Sequence, residues 1–353
     1  MTKFDKKSAD ALAMHQHINL TNIFVENHNT NYFSNDFIDS QVYNINSEID
    51  SNFLSRKNYS IMLSSVYEIL EFYSRSARVQ SCGSWLEFGI FPDKNRLLFA
   101  NFCKDRLCPM CNWRRSLKLY GQVSSVMNVL EQQGYKFLFL TLTIKNCYAE
   151  DLSNTIDVLF NGFRKMFTKN KKIKKHIFGV FRSLEITKNK TDNSYHPHLH
   201  CILAVKDCYF NGKNYIPQAE WAQIWQNCIS VDYTPTTDIR RIKSGDKGVS
   251  SASREVVKYS VKGSDFLDMS DLDRTAETVS DFIKALSFRR LVSFTGVFSE
   301  IRKQLKLDDV EQGNLVQTDI DNIRNDLAVA IVRYEFKNGF YTLNDVSKGG
   351  VSA

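Results

Sequence analysis

The sequence predicts an α+β protein built on an antiparallel split βαβ sheet with helices on one face. A cysteine-rich, zinc-binding N-terminal region precedes the sheet and a helical C-terminal region follows it. Three observations carry this prediction. Between Lys136 and Lys243, strand-like runs and amphipathic helices follow in the order β-α-β-β-α-β. The third strand places His196, His198 and His200 at every second position, on one face of an extended chain. Ahead of the first strand, Cys82, Cys103, Cys108 and Cys111 gather at metal-ligand spacing.

The chain has 353 residues, enough for one large or two ordinary domains. Its 43% hydrophobic and 12% aromatic content excludes a wholly disordered protein. A net charge of +7 suits a polyanionic partner without naming one. No apolar run approaches the length of a membrane span, and Met1 to Asp5 leads into polar sequence rather than an apolar signal region. The expected location is therefore the cytoplasm. There, eight cysteines serve as metal ligands or free thiols rather than disulfides.

Residues 1–57, rich in Asn, Ser and Asp, read as a flexible polar tail. Residues 58–133 form a helical and four-cysteine region. Ile61, Leu63, Val66, Ile69, Leu70 and Phe72 lie near helical spacing and predict a helix over 59–79. Two strands, around Trp85 to Phe91 and Leu97 to Phe102, are separated by the turn Pro92-Asp93-Lys94-Asn95. Cys108-x-x-Cys111 is a tight thiolate clip. Cys103, and Cys82 returned by the hairpin, would complete a tetrahedral zinc site; buried free thiols are the plainer alternative. Arg114 and Arg115 follow as candidate DNA contacts.

Residues 134–265 hold the sheet. Lys136 to Ile144 is a strand with Leu138, Leu140, Leu142 and Ile144 on one face and Phe137, Phe139, Thr141 and Thr143 on the other. Asp151 to Thr168 is an amphipathic helix whose far end is basic. Lys171, Lys172, Lys174 and Lys175 there are candidate phosphate contacts, or simply a solvated helix end. A strand over 178–187, the polar hairpin 188–194, the histidine strand, a helix over 218–229 and a strand over 237–243 complete the order. This arrangement leaves one sheet face open, where the histidines point and where Phe137, Phe139 or Phe181 would stack bases if exposed. Residues 266–353 read as mainly helical with a frayed end at Gly349-Gly350.

Behind the histidines, Leu199, Cys201, Leu203 and Val205 fill the opposite face of the strand, as a sheet packed on a core requires. Neutral imidazoles on a stiff strand suit a divalent metal; a solvent-facing polar strand is the alternative. On a short helix over 251–262, Glu255, Tyr259 and Lys262 stand at i, i+4 and i+7 and so share a side. A phenol is a poor nucleophile until a cation favours its phenolate, and Lys262 offers one. With a metal at His198 and His200 as Lewis acid, attack by Tyr259 on a phosphodiester would leave a phosphotyrosine and a free 3′-hydroxyl. Taken alone, the segment also fits an ordinary amphipathic helix with an ion pair.

The ordered set Phe139-Leu140-Thr141-Leu142-Thr143, His196-Pro197-His198-Leu199-His200 and Glu255-Val256-Val257-Lys258-Tyr259 resembles the three motifs of plasmid rolling-circle replication initiators, in the HUH endonuclease superfamily. The Cys103 to Arg115 and Arg289 to Phe298 segments resemble flanking parts of that family. The resemblance implies a ferredoxin-like or RRM-like nuclease sheet of the single-tyrosine type. It implies that His198 and His200 hold Mg²⁺ or Mn²⁺ and that Tyr259 nicks one strand at the plasmid's double-strand origin. Glu255 stands where two-tyrosine relatives carry the other tyrosine, and the resemblance gives it the activation of water at termination. A third ligand is needed. Glu185, which shares a strand face with Ser183 and Thr187, is the candidate, with His196 the runner-up. Lys258 joins the candidate DNA contacts, and origin DNA, a host helicase and a DNA polymerase are the implied partners. An HUH transposase or relaxase, and a non-enzymatic zinc-containing DNA-binding regulator, are the competing readings. A relaxase places its tyrosine ahead of the histidines, and a regulator leaves the histidine strand and Glu255-Tyr259 without a purpose.

Overall fold

Two antiparallel sheets divide the strands of this computed structural model, which describes residues 35–257, 266–268, 270–318 and 328–349. Before the first sheet, α1 (Asn35–Glu48) runs through a π-helical stretch (Ile49–Leu54) into α2 (Ser55–Ile69), and α3 (Tyr73–Gln80) follows. The expectation of a tail over 1–57 does not hold from Asn35 onward. Ile38, Val42, Ile45, Ile49 and Phe53 form a buried stripe of about one residue per turn. So narrow a stripe leaves the composition polar while still anchoring the helix. The helix expected over 59–79 is broken at Glu71, whose φ of 61° lies in the left-handed region.

The hairpin β1 (Trp85–Ile90) and β2 (Asn95–Ala100) forms where expected. Its partners come from the far end of the chain: β8 (Ala330–Lys337) pairs with β1, and β9 (Phe340–Lys348) pairs with β8. The C-terminal region is thus not mainly helical. It contributes α9 (Leu272–Leu286) and α10 (Val297–Gln304), but also β7 (Val292–Gly296), β8 and β9. Long-range pairing decided these strands. β7 is too short to show a period, and a Cβ on Gly296 (φ 54°) would meet the Phe178 carbonyl oxygen at 2.1 Å.

The second sheet is ordered β6-β3-β5-β4-β7. It comprises β3 (Lys136–Thr143), β4 (Gly179–Lys188), β5 (Tyr195–Val205), β6 (Thr237–Arg241) and β7. On one face Leu138, Leu140, Leu142, Leu199, Cys201 and Leu203 are buried, together with residues of α5 (Ala149–Lys169) and α7 (Gln218–Ile229). Leu152, Ile156, Leu159, Trp221 and Trp225 supply the helical side of that layer. Between α5 and β4 lies α6 (Lys171–His176). The α+β class, the antiparallel sheet and the cysteine cluster ahead of it are as the sequence indicates.

The histidine face is less open than expected. Phe137, Phe139, Phe181, Ile202 and Ala204 are buried in a second core with α4 (Pro109–Gln132), α8 (Asp246–Val256) and α10. The three phenylalanines are at most 3% exposed, so they are core and do not stack bases. α8 begins at Asp246, five residues earlier than expected, with Gly248 inside it. Its buried residues Val249, Ala252, Ser253 and Val256 hold it against the sheet.

Candidate active site

Strand pairing assembles a compact group on the histidine face. Glu185 on β4 stands opposite His198 on β5, and Ser183 opposite His200, while Thr141 on β3 flanks His200 from the other side. One carboxylate oxygen of Glu185 lies 2.9 Å from His200 Nε2 and 3.3 Å from His198 Nε2. All three side chains are buried. The outer ring nitrogens are occupied: His198 Nδ1 donates to the His196 carbonyl at 3.1 Å, and His200 Nδ1 meets the Thr141 hydroxyl at 3.3 Å. A carbonyl only accepts, so the neutral His198 ring carries its proton on Nδ1 and turns the Nε2 lone pair toward Glu185. Two lone pairs facing each other in a buried site call for a cation between them. The donor set of two imidazoles and a carboxylate fits a divalent metal ion.

Where the two rings are protonated instead, burial still pushes the Glu185 carboxyl up, but hydrogen bonds from His198 and His200, and then their charges, outweigh it and hold the group well below the usual carboxylate range. His196, the runner-up ligand, stands apart. Its Nδ1 is 2.8 Å from the Asn146 side-chain oxygen, and the three-residue group does not include it.

The end of α8 is pinned beside this group. Ser183 Oγ donates to the Val256 carbonyl at 2.5 Å. Glu255, half-buried on the same turn, is paired with Arg240 of β6. The Arg240 guanidinium lies 4.7 Å from the centre of the Phe139 ring, whose centre is 5.7 Å from that of His200. Lys258, Tyr259 and Lys262 lie outside the described residues, and so does their one-sided alignment with Glu255. Ser183, Thr141 and Arg240 were not singled out from the sequence. Alternation puts Ser183 and Thr141 on the histidine face, but only register shows which histidine each meets.

The four cysteines converge as expected. Sulfur separations are 3.5 Å for Cys82 and Cys111, 3.6 Å for Cys103 and Cys111, and 3.6 Å for Cys82 and Cys108. Thiolates ~2.3 Å from a central zinc define a tetrahedron with edges of ~3.8 Å, close to this spacing. Backbone N–H groups of Cys103 and Asp105 donate to the sulfurs of Cys82 and Cys103. The buried Lys57 ammonium donates to the carbonyls of Gln80 and Cys82; burial pulls it down to about 8 against the opposing pull of Cys82, Cys108 and Cys103.

The two arginines expected to meet DNA are instead buried. Arg114 donates to the Leu315 and Val316 carbonyls, and Arg115 to those of Asp105 and Lys104. They tie the cysteine loop and the 315–316 segment to α4. Lys171, Lys174 and Lys175 are exposed on α6, whereas Lys172 pairs with Glu220 of α7 at 2.7 Å. That pair joins α6 to the helical layer on the face opposite the histidines.

The replication protein family matches residues 94–342, a span that includes Cys103 to Cys111, the histidine strand and Glu255 but not Cys82. The Protein rep of Streptococcus pneumoniae serotype 2 is 40% identical over 279 residues, covering 77% of this chain and 85% of its own. The Protein rep of Bacillus amyloliquefaciens is 41% identical over 287 residues, covering 74% and 84%. That of Lactiplantibacillus plantarum is 37% identical over 298 residues, covering 81% and 93%. No solved structure matches the chain. With a family match across most of its length and close relatives named Protein rep, this chain belongs to the plasmid replication initiator Rep proteins.

Proposed function

We propose that this protein initiates rolling-circle replication by nicking one DNA strand at a plasmid's double-strand origin, and later rejoins or releases the strand. The observation that carries this reading is the convergence of Glu185, His198 and His200 beside the pinned end of α8 at Val256, three residues before Tyr259 in the sequence. Glu185, His198 and His200 hold Mg²⁺ or Mn²⁺, and a bound ion of this kind supplies Lewis-acid polarisation of the scissile phosphate. The Tyr259 oxygen attacks phosphorus, the bond to the 3′-oxygen breaks, and that oxygen leaves as the 3′-hydroxyl primer. The product is a 5′-phosphotyrosine. Lys262 favours the phenolate.

At termination Glu255 takes a proton from water, which attacks phosphorus and frees Tyr259. Its ion pair with Arg240 keeps the carboxylate in place on the last turn of α8. The four-cysteine cluster holds structural zinc, since thiolates favour that ion. Lys171, Lys174, Lys175 and Lys258 are secondary phosphate contacts. The protein works in the cytoplasm with a host helicase and DNA polymerase; among the described residues no helix is long and apolar enough to cross a membrane.

The test is to incubate the protein with Mn²⁺ and a labelled single-stranded origin oligonucleotide and resolve covalent adducts. An adduct forms with the unaltered chain and is absent in Tyr259→Phe. Normal cleavage by Tyr259→Phe overturns the mechanism. Glu255→Ala nicks but accumulates covalent product.

A further inference from the structure

The outer side of α8 carries a feature that the triad does not use. Lys247, Ser250, Ser251 and Arg254 recur at helical spacing, opposite the buried stripe, and line a shallow, open groove with Glu255 at its end. Lys247 and Arg254 are exposed, and among the described residues neither is in an ion pair. Arg254 leans over the Tyr120 ring at 5.8 Å, and the Tyr120 hydroxyl bonds Ser250 at 2.8 Å. The nearby acids are engaged or offset. Glu255 pairs with Arg240, Glu131 accepts from the Gly245 N–H at 3.0 Å, and Asp246 sits in the first helical turn, against the helix dipole.

We propose that this groove binds the backbone of single-stranded DNA and leads the strand along α8 to the triad. Its destination rests on the nicking reading; the binding itself does not. Seven residues of helix separate the two cations by about 10 Å, the span of about three nucleotides of stacked strand. The cations form one row with hydroxyls between them, and Tyr120 offers a ring at the edge, a combination suited to one strand rather than to the two phosphate rows of a duplex. His198, His200 and Glu185 are buried, so a flexible strand reaches them where a rigid duplex does not. The lysine run of α6 lies in the layer on the opposite face.

The experiment is an anisotropy titration of labelled oligothymidine in EDTA at several salt concentrations, so that neither metal nor cleavage enters. K247Q/R254Q is expected to bind roughly tenfold more weakly, with a log–log salt slope smaller by about 1.4. K213Q/K337Q, which removes two exposed lysines outside α8, the second of them paired with Glu335, is expected to match the unaltered protein. A folded K247Q/R254Q with unchanged affinity and slope overturns the proposal. Amine labelling of the unaltered protein gives a second test, independent of how the variant folds. Oligothymidine shields Lys247 more than Lys213, and equal labelling of the two overturns the proposal. Duplex DNA shielding Lys247 equally well overturns the single-strand assignment. Loss of the groove effect with the Tyr259 adduct intact defeats this proposal alone; groove binding without any adduct defeats the nicking reading alone.

Discussion

Ser183 Oγ donates to the Val256 carbonyl across 2.5 Å, with both residues buried. Ser183 also faces His200 in register and stands two residues before Glu185. One strand therefore presents the triad carboxylate and fixes the helix end that precedes Tyr259. Ser183→Ala leaves the Val256 carbonyl without this donor and is expected to cost about 1–3 kcal/mol in denaturant unfolding. Adduct formation falls more than the loss of folded protein explains, while Mn²⁺ affinity is retained. An unchanged adduct yield contradicts the anchoring role.

Glu185 and His196 are separated by their surroundings. Glu185→Gln removes the anionic donor between two imidazoles and is expected to weaken Mn²⁺ binding by more than the ~10–100-fold typical of an outer-shell loss. His196→Ala, whose ring is turned to Asn146, is expected to change it little. Titration followed by electron paramagnetic resonance reads both. Equal losses would return His196 to the ligand set.

The cysteine cluster joins the hairpin, through Cys82, to the start of α4, through Cys111. Metal analysis is expected to find about one zinc per chain, and Cys103→Ser to lose it with a lowered melting temperature, because structural zinc binding is folding free energy. Zinc-free protein with the same melting temperature would leave the cluster as plain thiols.

Arg115 distinguishes a structural arginine from a DNA contact. Its guanidinium donates to the Asp105 and Lys104 carbonyls and to the Asn112 side chain. Arg115→Gln is expected to destabilise the fold by about 1–3 kcal/mol, since buried carbonyls lose their donors. The salt slope of DNA binding, measured on the folded fraction, stays as it was. A reduced slope would place Arg115 against phosphate.

The elements legible in advance were those whose pattern is local. α7 was read at its observed ends, Gln218–Ile229, because Trp221 and Trp225 mark one face between polar residues. The histidine strand was legible because period two separates His198 and His200 from Leu199 and Cys201 without any partner strand. Elements whose burial depends on distant chain were not. β7 and β8 look unremarkable until β4 and β1 pair with them, and Ile45 and Phe53 are too sparse in a polar stretch to signal a helix.

Arginine gave the clearest misreading. Arg114 and Arg115 beside a cysteine clip look like phosphate contacts, and only the fold shows that carbonyls of the 315–316 segment and the cysteine loop occupy them. Phe137, Phe139 and Phe181 suit base stacking as well as a core, and α4, α8 and α10 decide for the core.

Residue type and period alone determined that two imidazoles share a strand face, that Cys103, Cys108 and Cys111 lie close along the chain, and that a carboxylate and a tyrosine follow on the same segment. These are properties of spacing, which a strand or helix converts directly into direction. Tertiary structure decided that Glu185 rather than His196 joins the histidines, that Ser183 holds the end of α8, and that Arg240 meets Glu255. The first depends on the register of β4 against β5, where a shift of one residue would turn Glu185 to the other face, and the other two on how α8 packs against β4 and β6, which no local period specifies.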